Sequence, residues 1–194
     1  MRQMRLFIAV DPSAEMAARA GRISDRMRSA GVEAAWVPPA QMHLTLHFLG
    51  DDVGDADLHR ICRAVDTAAA AARPFRLSCA GIGVFPDQQR PRVAWLGIRE
   101  GTEELVALHD ALAALLEPLG FPPEARGYRP HLTLGRFRGG GRRGVDAAVL
   151  AESIRAAEDA DGGSTMIQRV CLYESRLARE GAAHDRLHAA ALRG

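Results

Sequence analysis

Apolar residues in this chain follow two rhythms: short runs that alternate or cluster over five to seven positions, and longer stretches with apolar positions three or four apart. The run Arg5–Val10 (RLFIAV) predicts a buried strand stopped by Asp11-Pro12. Ser13 then caps an Ala- and Arg-rich amphipathic helix reaching about Ala30, with Gly31 as its stop. Trp36-Val37-Pro38-Pro39 is extended chain leading into His43–Leu49 (HLTLHFL), which alternates at period two and ends at Gly50. Asp55–Ala72 predicts a second helix, closed by Arg73-Pro74. Phe75–Val84 and Arg92–Ile98 read as strands on either side of a Phe85-Pro86-Asp87 turn. Thr102–Leu119 predicts a third helix, ended by Gly120 and Pro122-Pro123. Tyr128-Arg129-Pro130 leads into His131–Phe137 (HLTLGRF), again alternating. Arg138–Gly144 is a loop rich in glycine and arginine, Val145–Ala157 a fourth helix, and Met166–Leu177 one long strand. The tail His184–Leu192 fits helix and strand equally.

Strands and helices recur in two comparable halves, and no Ser/Pro/Gly-rich linker separates them. The expectation is an α+β fold of two lobes, with pseudo-twofold duplicated antiparallel sheets and outer helices around a central cleft. Residues 1–194 would then form a single domain.

Composition changes this picture little. At 194 residues, 47% hydrophobic and 25% charged, the chain can bury a full core without a disulfide or metal staple. A formal net charge of +1 argues against a protein that coats polyanions, yet leaves room for a local basic pocket. All 25 basic residues are arginine, which we attribute to coding bias, although its planar fork suits phosphate oxygens. Cys62, Cys79 and Cys171 form no CxxC pattern and read as core residues in a reducing compartment. The apolar stretch near the N-terminus is too short for a signal peptide or a membrane span, so a cytoplasmic protein is expected.

HLTL occurs twice, at His43–Leu46 and His131–Leu134, and uses two of only five threonines. In a strand, residues two apart share a face. His43 and Thr45 therefore face one way while Leu44 and Leu46 enter the core, and His131 and Thr133 repeat the arrangement. Brought together, the two strands offer two imidazoles and two hydroxyls to one cleft. Opening a cyclic phosphodiester needs a base to activate water and an acid to protonate the departing ribose oxygen, in line across phosphorus. Histidine titrates near neutral pH and can serve as either. The threonine hydroxyls can hold the non-bridging oxygens as charge builds. No metal or other cofactor is required.

The paired H-x-T-L motifs resemble those of the 2H phosphoesterase superfamily, and most closely its RNA 2′,3′-cyclic phosphodiesterase (2′-5′ RNA ligase) family. RLFIAV, WVPPAQMHLTLHFLG, GVFP, RPRVAWLGI, RPHLTLGRF and LYESRL match that family in order and spacing. The resemblance implies that His43 and His131 are catalytic and that Thr45, Thr133 and Arg136 contact the phosphate. Cyclic ends would open to a 2′-phosphate, His43 protonating O3′ and His131 serving as base, with reversible 2′-5′ ligation by the same pair. Strand periodicity sets Arg136, five after His131, on the opposite face unless the strand bends. Many relatives carry an aromatic residue where this chain has Ala183-His184, and His184 is a candidate to replace part of that contact.

Two other functions fit the motifs: action on a small cyclic nucleotide or ADP-ribose cyclic phosphate, and a non-catalytic module that binds RNA ends. The expected partner is RNA with a 2′,3′-cyclic phosphate end or a small cyclic nucleotide, with no membrane, and the expected state is a monomer. Phe85, at a turn, is a candidate for stacking on a nucleobase. Phe48 alternates away from the catalytic face and is expected in the core. Trp36 and Trp95 are expected to be structural. His47 is expected on the face of His43 and Thr45, but about 13 Å separates positions i and i+4 of a strand, too far to share one ion. Arg138, Arg142 and Arg143 either guide an RNA backbone or form a solvated loop. His59, His109 and His188 are expected at the surface.

Overall fold

The architecture was obtained as a computed structural model, which describes residues 2–137, 146–178 and 181–194. Four strands, β1 (Gln3–Val10), β3 (Leu44–Gly54), β8 (Arg169–Ala178) and β9 (Gly181–Ala191), form an antiparallel sheet in the order β3-β1-β8-β9. A second antiparallel sheet takes β2 (Ala35–Trp36), β6 (Leu132–Arg136), β5 (Val93–Glu100), β4 (Phe75–Phe85) and β7 (Asp161–Ile167), in the order β2-β6-β5-β4-β7. The two motif strands hold comparable places: β3 is an edge strand beside β1, and β6 lies beside β5 with only the two-residue β2 outside it.

The helices follow the predicted segments. Helix α1 (Ala14–Ser29) starts where the Ser13 hydroxyl accepts the Met16 amide (3.2 Å), satisfying one of the free N–H groups of the first turn. Gly31 (φ 95°) follows it in the left-handed region that a side chain disfavours. Helix α2 spans Asp55–Ala71 and α3 Thr102–Leu116. The last predicted turn of α3 tightens into a 3-10 turn, Glu117–Leu119, before Gly120 (φ 94°). Helix α4 (Ala147–Ala156) is capped by Asp146, whose carboxylate accepts the Ala148 and Val149 amides. Helices α2 and α3 pack on the four-stranded sheet, α1 and α4 on the five-stranded one. Because α1 follows β1 and α3 follows β5, each of these helices leaves its own sheet to cover the other, which ties the lobes together. The fold is therefore α+β, as the alternation of elements predicts.

Two expectations change. The long strand over 166–177 is two strands in different sheets: β7 pairs with β4, and β8 runs between β1 and β9. Gln168 and Arg169, both exposed, interrupt the alternation between buried Ile167 and Val170, and the chain crosses from one sheet to the other there. The ambiguous tail is strand β9. The loop carrying Arg138, Arg142 and Arg143 lies outside the described residues.

The decisive local feature is a β-bulge in each motif strand. Opposite β1, Ala9 pairs with Thr45 and Ile8 with His47, which leaves Leu46 as an extra residue. Opposite β5, Trp95 pairs with Thr133 and Ala94 with Gly135, which leaves Leu134 extra. In both copies the inserted residue is the last leucine of HLTL. A bulge places two successive residues toward the same side and resets the alternation beyond it. Leu46 and Leu134 fill the core at 2% and 0% exposure. Truncating Leu134 to alanine should lower folding stability by about 2–5 kcal/mol, as for other fully buried leucines, in a urea titration. A loss below about 1 kcal/mol would show that the bulge leucine is not held by the core.

Candidate active site

Both motif histidines precede their strands, and each is fixed by the same local bond. The His43 Nδ1–H donates to the Gln41 carbonyl (2.9 Å), and the His131 Nδ1–H donates to the Arg129 carbonyl (2.7 Å). A carbonyl only accepts, so Nδ1 carries the proton in each ring and Nε2 is left as the site of proton exchange. The two carbonyls are presented differently: Gln41 ends a 3-10 turn, Pro39–Gln41, where extended chain was expected, whereas Arg129 precedes Pro130, which disfavours helical backbone in the residue before it.

Around His43 stand Phe7 (ring centroids 4.7 Å apart) and His184, edge-on at 5.0 Å. Phe7 in turn stacks on Tyr173 at 5.3 Å. The Tyr173 hydroxyl donates to both oxygens of Asp11 (2.7 and 2.8 Å). A cavity of about 80 Å³ opens here, its walls including Phe7, Asp11, Gln41, His43, Tyr173 and His184. Around His131, Phe85 meets the ring edge-on at 5.0 Å and Trp95 lies at 6.4 Å, while the Arg129 guanidinium sits 5.7 Å from the Phe85 centroid. Trp95 lies flat across Gly83, where a Cβ would come within 2.1 Å of the indole. Glycine is what admits the tryptophan there.

The bulges decide what else faces the cleft. Residues paired across an antiparallel ladder share a face. Thr133 pairs with Trp95, and beyond the bulge Arg136 pairs with Val93, two positions along β5 from Trp95. Arg136 is therefore on the face of Thr133, and the geometric objection to it disappears. In the first motif the same reset sends His47 away from Thr45. His47 is 3% exposed, and its Nε2–H donates to the Phe121 carbonyl (3.1 Å) on the helical side. The expectation that His47 shares the face of His43 is thus overturned. Phe48 is corrected in the opposite sense: it pairs with Phe7 on the cleft face rather than entering the core.

His109 also departs from expectation. It is largely covered and stacks on Tyr128 at 4.3 Å and 2°. His188 is half-buried and paired with Asp66, while His59 is exposed as expected. Trp95 joins the site wall. Asp11, Tyr173 and Phe7 are site residues that sequence reasoning missed; Asp11 stood out only as a strand stop before Pro12.

Burial pushes the His43 imidazolium down to about 4, and nearby His184 and Arg136 add to the shift, while the Gln41 carbonyl and Asp11 oppose it. His131 is lowered mainly by burial and further by Arg136, against the Arg129 carbonyl and Glu124. Arg136 is thus a charge felt by both motif histidines, which fits its place on the face of Thr133. Thr45 is exposed and Thr133 half-buried. Among the described residues, no group of three or more His, Cys, Asp or Glu side chains is placed to hold a metal ion, and no helix is long and apolar enough to cross a membrane.

A two-sheet α+β fold with a duplicated imidazole and hydroxyl motif and one arginine felt by both imidazoles defines a two-histidine phosphoesterase class. The chain belongs to the 2′-5′ RNA ligase superfamily, whose family profile matches residues 12–179. It is 37% identical over 179 residues to the RNA 2′,3′-cyclic phosphodiesterase of Methanothermobacter thermautotrophicus, covering 92% of this chain and 94% of that protein. The protein of the same name from Aeropyrum pernix is 32% identical, covering 89% and 94% of the two chains. Among solved structures, one from Thermus thermophilus superposes with a TM-score of 0.80 at 28% identity, covering 98% of this chain and 99% of that one. E. coli LigT complexed with 3′-AMP shares the fold, with a TM-score of 0.75 at 24% identity over 98% and 99%.

Because the folded pKa of His43 is depressed, the unfolded chain binds more protons at acid pH. The stability contributed by burying this ring neutral is complete above pH 6.5 and is lost as pH falls toward about 4. Folding stability measured from pH 7 to 4 should therefore decline less in His43→Asn than in the wild type. Identical declines would place the acid sensitivity elsewhere.

Proposed function

We propose that this protein is an RNA 2′,3′-cyclic phosphodiesterase that opens cyclic phosphate ends to 2′-phosphate ends. The observation that carries the reading is the matched pair of Nδ1–H bonds, which leaves both Nε2 atoms of the HLTL motifs free for proton transfer. The names of the relatives, at 30% identity and above over most of the chain, point to the same chemistry.

In this mechanism the cyclic phosphate lies between the two rings. His131 Nε2 accepts a proton from water as the water oxygen attacks phosphorus. The P–O3′ bond breaks opposite the attacking oxygen, and His43 Nε2–H protonates O3′. The product carries a 2′-phosphate and a 3′-hydroxyl. His131 is left protonated and His43 neutral, and exchange with solvent resets the pair. Asp11, in the same cavity as His43, favours the protonated ring and so supports its role as the acid. Thr45 and Thr133 hold the non-bridging oxygens, and Arg136 meets the charge that builds on them. Phe85 supplies an aromatic surface beside His131 for the terminal base. In 2′-5′ ligation a 5′-hydroxyl takes the place of water: His131 accepts its proton as its oxygen attacks phosphorus and His43 protonates the departing O3′, and the two roles exchange when the 2′-5′ linkage is cleaved back to the cyclic end. His47 is turned to the far side and takes no part, and the pair His43 and His131 carries the chemistry without metal. One domain of two lobes suffices for it.

The test is turnover of an RNA oligomer ending in a 2′,3′-cyclic phosphate in excess EDTA, with the product regiochemistry determined. A 2′-phosphate product is expected. Turnover only on addition of zinc or manganese would contradict the metal-free mechanism, and no turnover in either condition would leave a binding role.

The lowered histidines also set the pH dependence. In the free protein both pKa values lie below 6.5, so kcat/KM should peak on the acid side of neutrality. A bound phosphate anion favours the imidazolium and raises both values, so kcat should peak at higher pH than kcat/KM. A rate that rises steadily with pH would contradict an acid–base pair.

A further inference from the structure

Arg5 lies on β1 two residues before Phe7 and therefore on the same cleft-facing side. Its guanidinium carbon sits 4.8 Å from the centroid of Phe48, the ring that the first bulge turns toward the cleft. Phe48 is the fifth residue after His43, as Arg136 is the fifth after His131. Each motif thus presents a cation from this position: Arg136 directly, and Arg5 by resting on the Phe48 ring. The two cations are not equivalent in depth. Arg136 acts on both motif histidines, whereas Arg5 acts on His184, whose ring meets His43 edge-on. His184 Nδ1 is enclosed and has no hydrogen-bond partner among the described residues.

Arg5 is felt by His184 and not among the charges that shift His43 or His131, which sets it farther from the reacting centre than Arg136. The scissile phosphate is already met by Arg136 and the two threonines. A cation farther out meets a different anion of the substrate. In RNA the next anion along the chain is the phosphodiester on the 5′ side of the terminal nucleotide, and a nucleoside 2′,3′-cyclic monophosphate does not have it. Arg5 is free to take such a ligand. Its ion pair with Asp51 joins side chains that are 43% and 62% exposed, and pairs this exposed are weak enough for a phosphate to displace. The planar fork, preset by stacking on Phe48, suits two phosphate oxygens at once.

We propose that Arg5 anchors the phosphodiester preceding the terminal nucleotide, so that the site selects cyclic-ended oligonucleotides over cyclic mononucleotides. The inference rests on the phosphodiesterase reading and deepens it by naming the substrate class.

The experiment compares kcat/KM for a nucleoside 2′,3′-cyclic monophosphate and for an oligonucleotide ending in the same nucleoside cyclic phosphate. Arg5→Gln should lose about tenfold or more on the oligonucleotide, chiefly through KM, with little change on the mononucleotide. Arg5→Lys should recover part of the loss. The salt dependence of oligonucleotide binding should weaken by about one phosphate contact in Arg5→Gln. Asp51→Asn, which leaves Arg5 in place and removes its competitor, should improve the oligonucleotide alone. Equal loss on both substrates, or loss on neither, overturns the role of Arg5 while leaving the phosphodiesterase reading intact. A wild-type protein that opens neither substrate overturns both.

Discussion

Each HLTL motif carries, at its last leucine, one residue more than the neighbouring strand can pair with, and the geometry of the cleft follows from that constraint. Without the bulge at Leu134, strict alternation would turn Arg136 toward the core with Leu132. Without the bulge at Leu46, His47 would stay beside Thr45, and Phe48 would be buried. The core holds the extra leucine in place, so a packing interaction fixes the direction in which polar side chains leave the strand. The site is specified by apolar residues as much as by those that do chemistry.

Upstream of each bulge, the backbone also sets the electronic state of the histidine. A carbonyl two residues back fixes the tautomer, and burial disfavours the competing imidazolium in the free protein. His47 shows how much depends on position: its proton sits on Nε2, pointed at Phe121, and a residue only four positions from His43 is held in the opposite tautomer. Burial, with a smaller contribution from Arg136, disfavours the imidazolium in both rings until an anion arrives to offset it. In the proposed mechanism, substrate binding itself supplies the charge that allows one ring to act as an acid.

Much of this was legible in the residues. Most of the strands, though not β2 or β9, the four helices with their Ser13, Gly31 and Gly120 boundaries, and the duplicated motif follow from periodicity and caps. The histidine and threonine pairs follow from the repeat. What escaped were features without a period-two or period-3.6 signature. A bulge adds one residue to a strand that otherwise alternates, so Arg136, His47 and Phe48 were each placed by counting on the wrong side. The exchange of β7 and β8 between sheets hid behind one apolar stretch, betrayed only by the exposed pair Gln168-Arg169. Asp11 and Tyr173 lie 162 residues apart and meet only in the folded sheet.

The central claim is that His43 and His131 act as one acid–base pair rather than as two independent contributors. It is tested most directly by single-turnover rates for His43→Ala, His131→Ala and the double variant on a cyclic-ended RNA. Each single change should slow the chemical step by about 10²–10⁴-fold, and the double variant should be little slower than the slower single one, because removing either partner disables the pair. Losses that multiply in the double variant, or a single variant that keeps its full rate, would contradict the account.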